Sequence, residues 1–369
     1  MLDDYNEKLA KLVVNYSVKV QKDDKVTING GVDSADLARE IYLEVVKVGG
    51  HVINTKIGIP GLAELFYKNA QDNQIKYQNP ISKVMIEEVD KTINIFSSTN
   101  RKALANVDPA KLMMAREASK ELQKRYSDRV AKGEIDWVIC PFPAPAFAQE
   151  GNMGTFEYKE FVYNALALNE ENPVEHWEKV KVEQAVIVEI LNKGKELRIV
   201  GEDTDLTLGI EGRKWINACG DKNLPDGEVF TSPIEDAVNG IISFTYPGIY
   251  MGKEVENIWL KFKDGKVIES SASKGQEVLD KVLEVENADI LGEIAIGTNY
   301  GIQRFTKNML FDEKMGGTIH LALGNGFKEI GSKNESTIHW DILKDMKSED
   351  SVIYLDGKEI YKAGKWLIP

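Results

Sequence analysis

The sequence predicts an α/β N-terminal domain with a largely parallel sheet, joined to an α+β, strand-rich and mainly antiparallel C-terminal metal-binding domain. Three observations carry this expectation. Strand-like and helix-like segments alternate from residue 25 to residue 143, the rhythm of a parallel sheet flanked by helices. From residue 196 onward, short strands follow one another between Gly, Asn and Asp turns. A chain of 369 residues also exceeds what one hydrophobic core usually organises. The boundary is placed near residue 190, giving domains over 1–190 and 191–369.

Within the first domain, residues 2–19 carry Leu9, Leu12, Val13 and Tyr16 at helical spacing. KVTING (25–30) reads as a buried strand closed by Gly30 and Gly31, and Asp33 or Ser34 is placed to cap a helix ending at Gly49. The strand-like runs 51–58, 93–98 and 136–143, with an amphipathic helix over 109–131, continue the pattern. The turn NGGVDS lacks both G-x-G-x-x-G and G-x-x-x-x-G-K-[ST], so it reads as a tight turn and not as a nucleotide loop. In the second domain, after a helix over about 173–193, the runs 196–201, 204–210, 228–233, 240–248, 257–262 and 266–273 read as strands, with a helix around 273–286.

A net charge of −13 argues against nucleic acid and anionic membranes as partners, since both call for clustered Lys and Arg. It permits a cation site. Cys140 and Cys219 are the two cysteines and no C-x-x-C occurs, which excludes a thiolate zinc site and a disulfide framework. The opening MLDDYNEKLAKL is acidic where a signal peptide is basic, and no run has the length of a membrane span. The expected location is cytoplasmic.

Two of the four histidines fall in one window. In STIHWDIL (336–343), period-two alternation sends His339 and Asp341 to one strand face and Ile338, Trp340 and Ile342 to the other. In GGTIHLALG (316–324), His320 alternates with Ile319 and Leu321. Imidazole nitrogen and carboxylate oxygen are the donors that Zn, Co, Mn or Fe ions take. Glu293 in LGEIAIGTN shares a face with Ala295 and Gly297, and Glu228 opens EVF after the turn NLPDG. A carboxylate inside an apolar strand is costly without a cation. The competing readings are hydrogen-bonded core histidines and a Glu293–Arg304 salt bridge. His51 opens a strand and His176 lies in the helical run EHWEKV; neither has a carboxylate placed to help it bind an ion, and both read as structural.

Through GRKWINACGDKNLPDGEVFTSPIEDAVNG (212–240), LGEIAIGTNYGIQRFTKNMLFDEKMGGTIHLALG (291–324) and KNESTIHWDIL (333–343), the chain resembles the M29 family of metalloaminopeptidases. The resemblance implies a metal-dependent aminopeptidase acting on peptides with a free N-terminus, a homodimer, and two divalent metal ions (Zn, Co or Mn). It also implies five metal ligands: Glu228, Glu293, His320, His339 and Asp341. There are two departures. A family tyrosine seven residues after the first ligand histidine is here Phe327, whose ring cannot donate a hydrogen bond to an oxyanion. Only nineteen positions separate His320 from His339, where longer relatives insert a loop. No catalytic residue is assigned; Glu235 and Asp236 are candidates for a general base, or helix-opening acids. His320, His339 and Asp341 alone would also suit a mononuclear non-haem iron ring-cleaving dioxygenase, though that triad needs neither Glu228 nor Glu293. Phe327 keeps open a metal-binding paralogue without peptidase activity.

Overall fold

The apolar spacing at the start of the chain is realised as a helix, α1 (Asp3–Lys11), which runs on into a π-helical turn at Leu12–Ser17. Leu9, Leu12, Val13 and Tyr16 are all buried on it. A computed structural model describes residues 3–368, so Leu2 of the expected helix lies outside the described residues. The chain divides into two compact units: one runs from the N-terminus to Val174 and takes in Gly220–Leu224, and the other comprises Glu175–Cys219 and the chain from Pro225 onward.

In the first unit, β1 (Lys25–Gly31), α2 (Ala35–Lys47), β2 (His51–Gly58), α3 (Leu62–Asn69), α4 (Asp72–Ile75), α5 (Pro80–Glu88), β3 (Lys91–Phe96), α6 (Pro109–Ala131) and β4 (Asp136–Pro141) follow in turn. The four strands pair in parallel in the order β2-β1-β3-β4, the sheet that strand–helix alternation predicts. The helices α7 (Pro145–Glu150) and α8 (Thr155–Ala165) complete this unit.

Two local expectations need correcting. Ser34 precedes α2 but its hydroxyl donates back to the Gly31 carbonyl at 2.9 Å, and Asp33 accepts from Ser97 Oγ at 3.0 Å, so neither side chain caps the helix. The helix over 109–131 has the expected bounds but no fully buried residue; its apolar side is only half covered.

The second unit begins within α9 (Pro173–Leu191), whose Ile187 and Leu191 enter that unit's core. Then come β5 (Glu196–Gly201), β6 (Thr204–Gly209), β7 (Ile216–Ala218), β8 (Glu228–Thr231), β9 (Val238–Ser243), β10 (Gly248–Tyr250), β11 (Lys253–Val255), β12 (Trp259–Lys263) and β13 (Lys266–Ser271). After α10 (Gln276–Leu283) follow β14 (Leu291–Gly297), α11 (Met309–Asp312), β15 (Thr318–Gly324), β16 (His339–Asp345), β17 (Val352–Leu355), β18 (Lys358–Lys362) and β19 (Lys365–Trp366). An eight-stranded antiparallel sheet has the order β13-β12-β9-β6-β5-β17-β18-β19, and a five-stranded one the order β16-β15-β14-β8-β7. One hydrophobic core joins them: Ile199, Leu206, Ile242 and Leu260 from the first sheet cluster with Ile294, Ile296, Ile319, Leu321 and Ile342 from the second. Each such side chain contributes roughly 1.5–3 kcal/mol by leaving water. That packing fixes the five-stranded sheet and therefore whatever its opposite face carries.

Candidate metal centre

Period-two alternation decides which side chains share that opposite face. On β14, Ile294 and Ile296 enter the core, leaving Glu293, Ala295 and Gly297 on the other side; on β15, Ile319 and Leu321 do so, leaving His320 and Ala322; on β16, Trp340 and Ile342 do so, leaving His339 and Asp341. The register then lays polar residues against small ones. Glu228 pairs with Gly297, Glu293 with Ala322, His320 with Ala295, Asp341 with Ala322, and His339 with Gly324. Direct cross-strand neighbours stand about 4.5–5.5 Å apart at Cβ, so each long polar side chain leans over an Ala or Gly.

All five residues singled out in the sequence meet there. Glu293 Oε2 lies 3.2 Å from His339 Nε2 and its Oε1 lies 3.6 Å from His320 Nε2. Asp341 Oδ1 is 3.3 Å from His339 Nε2 and 3.9 Å from His320 Nε2. Glu228 Oε2 is 3.9 Å from His320 Nδ1. His320, Glu228 and Glu293 are almost completely buried, whereas the His339 side chain keeps 33% of its surface exposed at the mouth. The second nitrogen of each ring is tied to main chain, His320 Nδ1 to the Glu313 carbonyl at 3.2 Å and His339 Nδ1 to the Asn325 carbonyl at 2.8 Å. This turns both Nε2 atoms toward the carboxylates, the arrangement in which a histidine binds metal.

Burial alone would raise the Glu293 carboxyl, but donation from His320 and His339 carries it down to about 2. Burial opposes protonation of the two rings, yet Glu293 and Asp341 raise His320 to about 10 and His339 to about 11. Without an ion, the imidazoles serve as the site's cations. Burial likewise pushes the Glu228 carboxyl up, against the pull of the Lys314 ammonium.

The residues fit a divalent cation. Glu228 Oε2 and Asp341 Oδ1 are buried and accept no well-formed hydrogen bond, with imidazole nitrogens of His320 and His339 standing 3.9 Å and 3.3 Å away; a divalent cation would satisfy both oxygens more fully. Two sets of donors lie close enough to share an ion: Glu293, His339 and Asp341, whose ligand atoms lie within 4.8 Å of one another, and Glu313, His320 and Asp341, which meet the same limit.

The second set contains a residue that sequence reasoning missed. Glu313 lies in MLFDEKMGG, just past the short helix α11, where no period marks a face. The charged triplet Asp312–Glu313–Lys314 between apolar Phe311 and Met315 was the available signal. Lys314 is itself buried, 2.5 Å from Glu228 Oε1 and 2.6 Å from Glu313 Oε1.

Other expectations change. Glu235 and Asp236 open no helix, since the chain runs from β8 through a turn into β9. Glu235 is bound by Arg213 Nη2 at 2.6 Å, by the Lys333 main-chain N–H at 2.7 Å and by Ser332 Oγ at 3.2 Å, a structural assignment for that carboxylate. Glu293 faces two histidines in place of the salt bridge weighed for it. His51 does have a carboxylate, Asp23 Oδ1 at 3.3 Å, in an exposed pair. Phe327 packs against the site, its ring centroid 5.5 Å from His339 edge to face and 5.3 Å from Phe230.

Known proteins resemble the chain over most or all of its length. Aminopeptidase AmpS of Bacillus subtilis (strain 168) is 27% identical, over 99% of this chain and 100% of that protein. Aminopeptidase T of Thermus aquaticus is 28% identical, over 74% of this chain and 75% of that protein. The solved structure of wild-type AmpT from Thermus thermophilus has the same fold, with a TM-score of 0.83 over 100% of both chains at 24% identity. Family-wide features of the thermophilic metalloproteases (M29) match residues 3–366, and the chain belongs to that family.

Proposed function

We propose that this hydrolase removes N-terminal residues from peptides, with two divalent ions held by Glu228, Glu293, His320, His339 and Asp341. As an M29 metalloprotease the chain works with a divalent metal. The observation that carries the ligand assignment is the pair of buried carboxylate oxygens, Glu228 Oε2 and Asp341 Oδ1, that no well-formed hydrogen bond satisfies. Support for exopeptidase activity comes from the relatives, named as aminopeptidases in Bacillus and Thermus.

When bound, divalent ions supply Lewis acidity, polarising a carbonyl and lowering the pKa of water. The protein's own groups do the rest. Glu293 turns one oxygen to each histidine and Asp341 Oδ1 faces both, and Asp341 belongs to both donor sets that could hold an ion. The main-chain carbonyls of Glu313 and Asn325 hold the imidazoles in the orientation that presents Nε2. Phe327 packs beside His339 and against Phe230, placing apolar surface on that side of the site. Glu228 and Glu313, beside the two-histidine, one-carboxylate set, favour hydrolysis over iron-dependent ring cleavage, which has no use for them.

The further parts of the reading are a cytoplasmic location, a homodimer, and Zn, Co or Mn as the ions. The buried thiols Cys140 and Cys219, neither in a disulfide, suit a reducing compartment. Among the described residues no helix is long and apolar enough to cross a membrane.

The test is an assay of aminoacyl-arylamides and dipeptides with added cobalt, zinc or manganese, on the wild type and on His339→Ala. Metal-dependent release of the N-terminal residue, lost in the variant, is expected. Undiminished hydrolysis by His339→Ala would refute the ligand assignment, and hydrolysis unaffected by chelators would refute the metal.

A further inference from the structure

Lys314 is the one buried cation other than the histidines that touches this centre among the described residues. Its side chain is 2% exposed and its Nζ lies 2.5 Å from Glu228 Oε1, 2.6 Å from Glu313 Oε1 and 3.9 Å from Asp226 Oδ1. A lysine ammonium is strongly hydrated, and burying it is expensive unless several acceptors replace the water. Here they do, and two of them are carboxylates of the metal centre.

The backbone puts it there. Gly297, the cross-strand partner of Glu228, has room for no side chain: a Cβ would stand 2.1 Å from the Met315 carbonyl oxygen and 3.0 Å from the Lys314 carbonyl carbon. Asn299 N–H donates to the Lys314 carbonyl at 3.0 Å. The missing side chain at Gly297 therefore lets residues 314–315 cross directly over β14 beside Glu228.

We infer that Lys314 is a positioning residue of the metal centre: it grips one oxygen each of Glu228 and Glu313 and supplies a fixed positive charge that the site needs. The inference rests on the two-ion reading above. Its first ground is directional. Lys314 takes Glu228 Oε1 and leaves Oε2, which accepts no hydrogen bond, facing His320. Glu228 is thus presented as a ligand through one chosen oxygen. The second ground is charge. Glu228 Oε1 and Glu313 Oε1 both lie within 2.6 Å of the same buried Nζ. Without the ammonium these two carboxylates would face each other as like charges, which low-dielectric surroundings penalise. An ion held through Glu228 or Glu313 would depend on Lys314; one held by Glu293, His339 and Asp341 would not touch it.

The experiment is a cobalt titration of the chelator-stripped full chain, read by visible absorption and by metal content, on wild type and Lys314→Met. The wild type is expected to bind two ions. In the variant one ion should lose tenfold to a hundredfold in affinity, the usual cost of removing an outer partner of a ligand, while the other keeps its affinity. In Lys314→Ala, whose cavity has the shape of the lost side chain, ethylammonium should restore part of that affinity, which a general loss of packing would not allow. Should the Met variant fail to fold, Lys314→Ala is refolded with ethylammonium and its affinities are read before and after dialysis. Two ions bound by the Met variant as tightly as by wild type would overturn the inference and leave the two-ion reading standing. Equal weakening of both ions without ethylammonium rescue would overturn it too. A wild type that binds no ion would overturn both readings together.

Discussion

Nδ1 of His320 lies 3.2 Å from the main-chain carbonyl of Glu313, so the buried ring can offer only Nε2 to Glu293 and Asp341. His339 has the same kind of tether, to Asn325, but sits at the mouth with a third of its side chain in solvent. Equal ligands on paper are therefore unequal in the fold. In chelator-treated protein, His320→Ala is expected to cost about 2–4 kcal/mol, because it leaves buried carboxylates without their counter-ion. His339→Ala should cost under about 1 kcal/mol, since solvent can replace the lost partner. Urea denaturation of the two metal-free variants measures this, and equal losses would contradict the burial difference.

The small residues between the ligands make a second prediction. Ala322 pairs across the ladder with both Glu293 and Asp341, and its side chain is the floor between them. Ala322→Val adds two methyl groups at a fully buried position. Overpacking of a buried position costs typically about 1–3 kcal/mol, and the added bulk pushes the two carboxylates apart. Metal affinity should fall by at least about tenfold while the circular dichroism spectrum stays native. Wild-type affinity in that variant would mean that the ion does not sit between these strands.

What could be read in the sequence follows from which features are local. Strand–helix alternation gives the parallel sheet β2-β1-β3-β4, and period two gives the shared face of His339 and Asp341, because both are properties of consecutive residues. The five-residue convergence became legible through family motifs that span 212–343, since no spacing rule links β8 to β16. Glu313 and Lys314 were not legible. They reach the site because Gly297 lets an irregular segment cross a strand, a long-range packing event that leaves no period behind. Glu235 illustrates the reverse error: an acid close in sequence to Glu228 looked chemical, yet its partners Arg213, Ser332 and Lys333 bind two separate segments together.

That assignment makes Glu235 a pH-dependent clamp and not a base. Burial would raise its carboxyl, but the Lys333 N–H, its own N–H and the Arg213 guanidinium together hold it below the ordinary 4.5. A depressed folded value means that the stabilisation is fully present above about pH 4.5 and is lost as pH falls through the lower folded value. Glu235→Gln is therefore expected to lower stability by roughly 1–3 kcal/mol near neutrality, with the gap to wild type closing below pH 4.5. Its kcat should stay within a few-fold of wild type. A loss of kcat by a hundredfold with unchanged stability would restore Glu235 as a general base.

Phe327 stands where the resemblance to the family implies a tyrosine. Its ring lies 5.5 Å from His339 and 5.3 Å from Phe230, so it presents carbon to the ligands where the expected tyrosine would present a hydroxyl. A donor aimed at a developing oxyanion is worth about 10²–10³ in kcat elsewhere. If that help is missing here, Phe327→Tyr should raise kcat by about tenfold or more and leave metal affinity unchanged, because the ring touches a ligand's face and not its donor atom. The gain belongs in kcat and not in KM, since the new hydrogen bond forms only as negative charge develops on the substrate oxygen. Unchanged kcat in a variant that binds metal normally would show that another group already stabilises the oxyanion. A fall in kcat would show that Phe327 is there for its apolar wall, with the tyrosine hydroxyl letting water in beside His339.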